Sequence, residues 1–296
     1  MNKNKLCLGT VQFGMEYGIN NALGRKPKQE ECYSILDEAI KNNILCFDTA
    51  SGYGDAENIL GSYEGFKTSS VRIISKIRPI DISVECYEDY ILNECRQTIE
   101  KLSTKKLYGY LFHSANDMYN KNIFDSMLLC KKNGLTDNIG VSVYNPQDAL
   151  YAVNLEEIDF IQVPYNVLDQ RLNQYNFFEI AKSNGKVIFA RSAFLQGLLV
   201  MDMEDVRKKF PKALKYIIDF EDICSKHGFC RKEAAFMFSY LNNNIDYVVF
   251  GVDNVEQLKE NLQYIDKIDY FDECYKELLR SFNDIEESIV NPCLWK

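Results

Sequence analysis

The run IGVSVYNPQDALYAVNLEEIDFIQV, residues 139–163, decides the fold. Its ends, IGVSV and IDFIQV, are short and apolar, rich in β-branched and aromatic residues, and read as buried strands. Between them PQDALYAVN (146–154) reads as an amphipathic helix. A strand, a helix and a second strand make one parallel crossover unit. The unit recurs in both directions. Downstream come FFEIAKSNG (177–185), KVIFARS (186–192), YVVFGV (247–252) and VEQLKENLQYI (255–265). Upstream the strand-like runs are LCLGT (6–10), LCFDTA (45–50), VRIISKI (71–77) and LYGYLFH (107–113). The helical stretches among them are QEECYSILDEAIKNN (29–43), with Cys32, Ile35, Leu36 and Ala39 on one face, ECYEDYILNECRQTIEKL (85–102), with Tyr90, Ile91, Cys95 and Ile99, and NIFDSMLLCKKNG (122–134). Several stop at Asn-Gly or Gly, as helix ends often do.

Eight strand-like runs thus alternate with helices, and no Pro/Ser/Gly-rich linker interrupts them. The pattern predicts an α/β chain folded as a single (β/α)₈ TIM barrel over residues 1–296, with a longer excursion at about 195–230 and a short C-terminal tail. A doubly wound open sheet is the alternative. It wants a Gly-rich turn after the first strand, and LGTVQFG is not G-x-G-x-x-G.

Composition narrows the function. The 296 residues are 46% apolar and 26% charged, an ordinary globular mix. Lys plus Arg number 34 against 43 Asp plus Glu, a net charge of −9. An acidic chain without a basic run is a poor partner for nucleic acid or an anionic membrane, although a local basic patch for one phosphate stays open. None of the ten cysteines forms C-x-x-C, and two histidines cannot build a His-rich metal site, so no metal is expected. The opening MNKNKLCLGT has no apolar signal core, and no stretch approaches membrane-spanning length. The thiols are read as reduced, in cytoplasm. Nothing in the sequence bears on oligomeric state.

In such barrels reactive groups project from the C-terminal ends of strands. The second strand ends in Asp48, followed by Thr-Ala-Ser-Gly and Tyr53; the third ends in Lys76; the fourth ends in His113. Each has an ordinary structural explanation. Asp after a strand often caps or turns, Lys at a strand end snorkels, and any one of 19 tyrosines can be packing. Histidine is the most telling, because one of only two copies terminates a buried strand. The other, His227 in CSKHGF, reads as a surface residue at a helix C-terminus.

Together the four form a coherent chemistry. A buried Lys76 ammonium needs a counter-ion, and Asp48 supplies one. A cation beside a phenol favours the phenolate, so Tyr53 is expected to have a lowered pKa and to donate a proton near neutral pH. His113 can hydrogen-bond the same carbonyl oxygen. The set suits reduction of a carbonyl. No side chain gives hydride, so a nicotinamide cofactor is implied.

With these residues in place, the chain resembles the aldo-keto reductase family, in a bacterial form. The resemblance rests on LGTVQFG (8–14), FDTASGYGDAENILG (47–61), Ser75-Lys76, the strand ending in His113, IGVSVYNP (139–146), IQVPYNVLDQR (161–171), ARSAFLQGLL (190–199) and VVFGVDNVEQLKENL (248–262), in the family's order. It implies that Asp48, Tyr53, Lys76 and His113 are the catalytic tetrad, with Tyr53 as general acid. It places Ser142 and Gln162 at the nicotinamide carboxamide, with Val143 where the family usually has Asn. Arg191 falls where many members stack an aromatic ring, and a planar guanidinium can stack too. Ser192 through Gly197 fall near the pyrophosphate, and Gly9 and Thr10 near the nicotinamide. Gly251, Val252, Asp253, Asn254, Gln257, Glu260 and Asn261 match the adenosine-phosphate end, with Glu260 and Asn261 toward the adenine. The family often carries Lys in place of Gly251 and Arg in place of Gln257, and both charges are missing here. The resemblance still favours NADPH, and NADH stays open.

The leading reading is therefore an NAD(P)H-dependent reductase of a small aldehyde or ketone. A Schiff-base lyase using a neutral Lys76, or a cofactor-binding regulatory barrel with little turnover, are the alternatives. Met15, Tyr17, Phe194, Leu195 and Trp295 are candidate apolar walls of the substrate pocket. The opening LGTVQFGMEYGINN and the tail NPCLW resemble bacterial members, some of them among surface-polysaccharide or sugar-metabolism enzymes, which makes a sugar-type carbonyl one expectation.

Overall fold

Eight strands form at the eight runs read as strands. They are β1 (Leu6–Gly9), β2 (Cys46–Asp48), β3 (Arg72–Ile77), β4 (Gly109–Phe112), β5 (Ile139–Ser142), β6 (Phe160–Pro164), β7 (Val187–Arg191) and β8 (Tyr247–Phe250). In the computed structural model, which describes residues 5–19, 21 and 24–295, they pair in parallel in sequence order and close by the β1–β8 pairing into a barrel. Residues 1–4 of the opening MNKNKLCLGT, the stretch read above as lacking an apolar signal core, lie outside the described part.

The helices sit outside because their apolar faces demand it. Gln29–Lys41 buries Cys32, Ile35, Leu36 and Ala39, the stripe its spacing predicts. Tyr87–Lys101 is rotated slightly from expectation. It buries Ile91, Leu92, Cys95 and Thr98, and leaves Tyr90 and Ile99 half-buried. The barrel interior is filled by Cys7, Cys46, Ile74, Leu111, Phe160, Phe189, Tyr247 and Val249. Phe189 and Tyr247 stack there with ring centroids 4.5 Å apart and planes 7° apart. This plug occupies the barrel, so chemistry is displaced to its rim.

The excursion after β7 is helical. It runs through Leu195–Val200, Met203–Lys209, Pro211–Ala213 and Leu214–Lys226, before helix Arg231–Leu241 returns the chain to β8. His227 caps Leu214–Lys226 and pairs with Glu277 at 2.7 Å, away from the strand ends. The tail folds back over the excursion. Trp295 packs on Phe210 (4.9 Å between centroids), and its indole N–H donates to the Ile289 carbonyl at 3.1 Å. Trp295 therefore does not wall the substrate pocket as expected; its apolar ring finds Phe210 instead.

Among the described residues no helix is long and apolar enough to cross a membrane. No cluster of three or more His, Cys, Asp or Glu among them is placed to hold a metal.

Candidate active site

The C-terminal ends of the strands open into one cleft. Asp48, Tyr53 and His113 line it beside Gly9, Thr10, Ser142, Gln162 and Arg191. Lys76 lies beneath, fully buried. Its Nζ donates to both Asp48 carboxylate oxygens at 2.8 Å and to the Thr49 carbonyl at 2.9 Å. The Tyr53 hydroxyl is its fourth neighbour, at 3.5 Å. The Tyr53 and His113 rings meet edge-on, centroids 5.5 Å apart.

Glycines place Tyr53. Gly54 adopts φ +54°, a left-handed conformation that favours glycine. A Cβ on Gly14 would stand 1.6 Å from the Tyr53 carbonyl oxygen, so LGTVQFG and SGYGD pack backbone on backbone. The conformation of one motif is set by the lack of a side chain in the other.

The electrostatics correct one expectation. Burial raises the Tyr53 pKa above the ordinary phenol value; Lys76 pulls it down, Asp48 pushes it up, and Arg191 pulls it down, without reversing the rise. The expected lowering fails because removing the phenolate from water outweighs the neighbouring cations. Burial opposes the Lys76 ammonium, yet Asp48 and the Tyr53 phenol together more than offset it and hold its pKa above the usual lysine value. His113 is pushed down to about 3, first by burial and then by Lys76 and Arg191. It is a neutral imidazole.

Ser142 donates to Gln162 Oε1 at 3.3 Å, and the Gln162 amide donates to Asp48 at 2.7 Å. The Arg191 Cζ stands over the Tyr144 ring, 4.0 Å from its centroid, and the guanidinium donates to the Val143 carbonyl at 2.9 Å. After β7 the backbone is strained. Ser192, Leu195 and Gln196 hold φ of 66°, 48° and 54°, followed by Gly197 at 105°. Asn166 ties this loop down by donating to the Ser192 carbonyl at 3.1 Å. The loop crosses to the β1 side, where the Ile19 amide donates to the Gln196 carbonyl at 3.0 Å.

At the far end lie Gly251, Gln257 and Asn261. Two more residues expected there adjoin this end without lining the cleft. Asn254 caps helix Val255–Ile265, accepting from the Gln257 amide at 2.9 Å. Glu260 is exposed and pairs with Lys232. Of the expected apolar walls, Tyr17 and Phe194 line the cleft. Met15 is exposed and Leu195 fully buried, and neither lines it.

Sequence reasoning missed Gln12, Tyr144 and Lys232, which also line the cleft. Gln12 Oε1 and Asn261 Oδ1 are buried without a hydrogen-bond partner among the described residues. Buried acceptors of this kind are normally satisfied, so both point to a bound polar molecule. A cleft lined by the amides of Gln12, Gln162, Gln257 and Asn261 and by the acid–base groups Tyr53 and His113 fits a nicotinamide dinucleotide.

A closed barrel with a buried Lys–Asp pair beneath a tyrosine at its rim defines a class, the carbonyl-reducing barrels. The chain belongs to the aldo/keto reductase family, whose model matches residues 5–279. It is an NAD(P)H-dependent oxidoreductase acting on carbonyl groups. It is 24% identical to YrpG, an uncharacterized oxidoreductase of Bacillus subtilis, over 95% of this chain and 92% of that protein. It is 25% identical to an NAD/NADP-dependent indole-3-acetaldehyde reductase of Schizosaccharomyces pombe, over 73% of this chain and 77% of that one. A solved structure from Pseudomonas aeruginosa, described as an aldo-keto reductase, shares the fold with a TM-score of 0.66 at 21% identity, over 89% of this chain and 90% of that one.

Proposed function

We propose that the protein reduces a small aldehyde or ketone to an alcohol with NADPH, taking the proton from Tyr53. One observation carries this reading: the buried Lys76 Nζ contacts both Asp48 oxygens and the Tyr53 hydroxyl. Tyr53, protonated at rest, gives its proton to the carbonyl oxygen. The phenolate left behind faces an ammonium whose charge Asp48 holds in place, so the stabilisation is greatest after proton transfer. His113, neutral, hydrogen-bonds the same oxygen and orients the carbonyl. The dinucleotide, when bound, supplies the hydride to the carbonyl carbon. Ser142 and Gln162 would hold its carboxamide, Arg191 and Tyr144 would back the ring, Ser192 and Gly197 would take the pyrophosphate, and Asn261 the adenine. Gly9 and Thr10 floor the nicotinamide end.

The Schiff-base alternative loses support, because a nucleophilic lysine must be neutral and Asp48 keeps Lys76 charged. All ten cysteines are free thiols, which supports a reducing compartment, the cytoplasm. The test is consumption of NADPH, and of NADH, with a panel of aldehydes, ketones and keto-sugars. Turnover on at least one class is expected. Tight cofactor binding with no turnover across the panel would instead make the chain a regulatory barrel.

A further inference from the structure

We infer that Lys232 recognises the 2′-phosphate of the cofactor and sets the preference for NADPH over NADH, a proposal that rests on the cofactor reading above. The two positions that carry this charge in the resemblance, Gly251 and Gln257, are uncharged here, and their surroundings explain why. A Cβ on Gly251 would stand 2.3 Å from Gln12 Oε1, so the space for a longer side chain is taken by the Gln12 amide. Gln257 is turned back on its own loop. Its Oε1 accepts from the Asp253 amide at 2.8 Å, and its Nε2 donates to the Asp253 carboxylate at 3.4 Å.

The charge comes instead from another helix. Lys232 lies one residue into Arg231–Leu241 and lines the cleft beside Gly251, Asp253, Gln257 and Asn261. Among the described lining residues, the other cationic side chain, Arg191, stands at the nicotinamide end over Tyr144. Neighbouring Arg231 is committed elsewhere, to Glu221 and to the carbonyls of Leu199 and Met201 at 3.0 Å. Among the described residues Lys232 has only Glu260 as its ion partner, and the pair is half-exposed, with side chains 35% and 48% accessible. An exposed pair of this kind is weak. Its ammonium can pass from the carboxylate to a phosphate dianion without leaving a buried charge behind. Asp253 also lines this end, and burial raises its carboxyl pKa above the usual aspartate value, with the Gln257 amide opposing.

The experiment is calorimetric titration of the full-length protein with NADPH and NADH, for the wild type, Lys232→Gln and Lys232→Arg. The wild type is expected to bind NADPH more tightly. Lys232→Gln should weaken NADPH about tenfold or more, the size of one charge-assisted contact, and leave NADH within about twofold. Lys232→Arg should keep the preference, and added salt should weaken NADPH more than NADH only where the cation is present. Equal weakening of both nucleotides by Lys232→Gln, or no change in either, overturns the assignment and leaves the cofactor reading standing. A wild type that prefers NADH does the same. Failure of the wild type to bind either nucleotide ends both.

Discussion

At the residue scale the site is a problem of buried charge. Removing one partner of the Lys76–Asp48 pair leaves the other ionised and unsolvated. Lys76→Met should therefore cost about 3–5 kcal/mol of stability, read as a lower midpoint in urea. A variant within about 1 kcal/mol of wild type would show that the pair is not isolated as described. His113 has a pKa of about 3 in the folded chain against about 6.5 unfolded. The unfolded chain therefore binds the extra proton first. The stability this group contributes is present above about pH 6.5 and is lost as pH falls toward about 3. Denaturant midpoints measured at neutral pH and near pH 4 should converge more for His113→Gln than for wild type; identical slopes contradict a buried neutral imidazole. Asp48, Lys76 and His113 were legible in the sequence because polar residues at the ends of apolar strands are rare, and histidine rarer still. Gln12 and Lys232 were not. Gln12 lies in the short helix Val11–Gly14 and Lys232 in helix Arg231–Leu241, outside the apolar strands whose polar ends stand out, and only the closing of the barrel turns them into one cleft.

At the element scale the strands were readable from their β-branched and aromatic content, and helix Gln29–Lys41 from its apolar stripe. The loop after β7 was not. Its left-handed residues include Ser192, Leu195 and Gln196, side chains that give no local signal of such a backbone. Tertiary ties, from Asn166 to Ser192 and from Ile19 to Gln196, hold them there. Packing of the β1 loop on the β2 loop makes a sharp prediction. Gly14→Ala puts a methyl group against the Tyr53 carbonyl, and must shift Tyr53 relative to Lys76. The expected outcome is a loss of about 1–3 kcal/mol in stability and a fall in kcat larger than any change in cofactor affinity. Unchanged kcat would mean the two loops do not set the position of the phenol.

At the scale of the whole molecule, the plug and the site are separable. Phe189 stacks on Tyr247 inside the barrel and lines no part of the cleft. Phe189→Ala should cost about 3–5 kcal/mol in denaturant midpoint while NADPH affinity, measured on the folded fraction, stays near wild type. A large loss of affinity at modest cost in stability would mean that the interior layer shapes the cleft directly. The tail was the least legible feature at this scale. Trp295 was expected as a pocket wall from its place in the tail, and its partner Phe210 lies 85 residues earlier.

The central claim is that the Tyr53 phenol delivers the proton. Its most direct test is a single-turnover measurement on Tyr53→Phe, loaded with NADPH and mixed with a carbonyl compound the wild type reduces. The account predicts cofactor affinity within about twofold of wild type and a rate of cofactor oxidation lower by about a hundredfold or more. A rate close to wild type, with the cofactor bound, would contradict it.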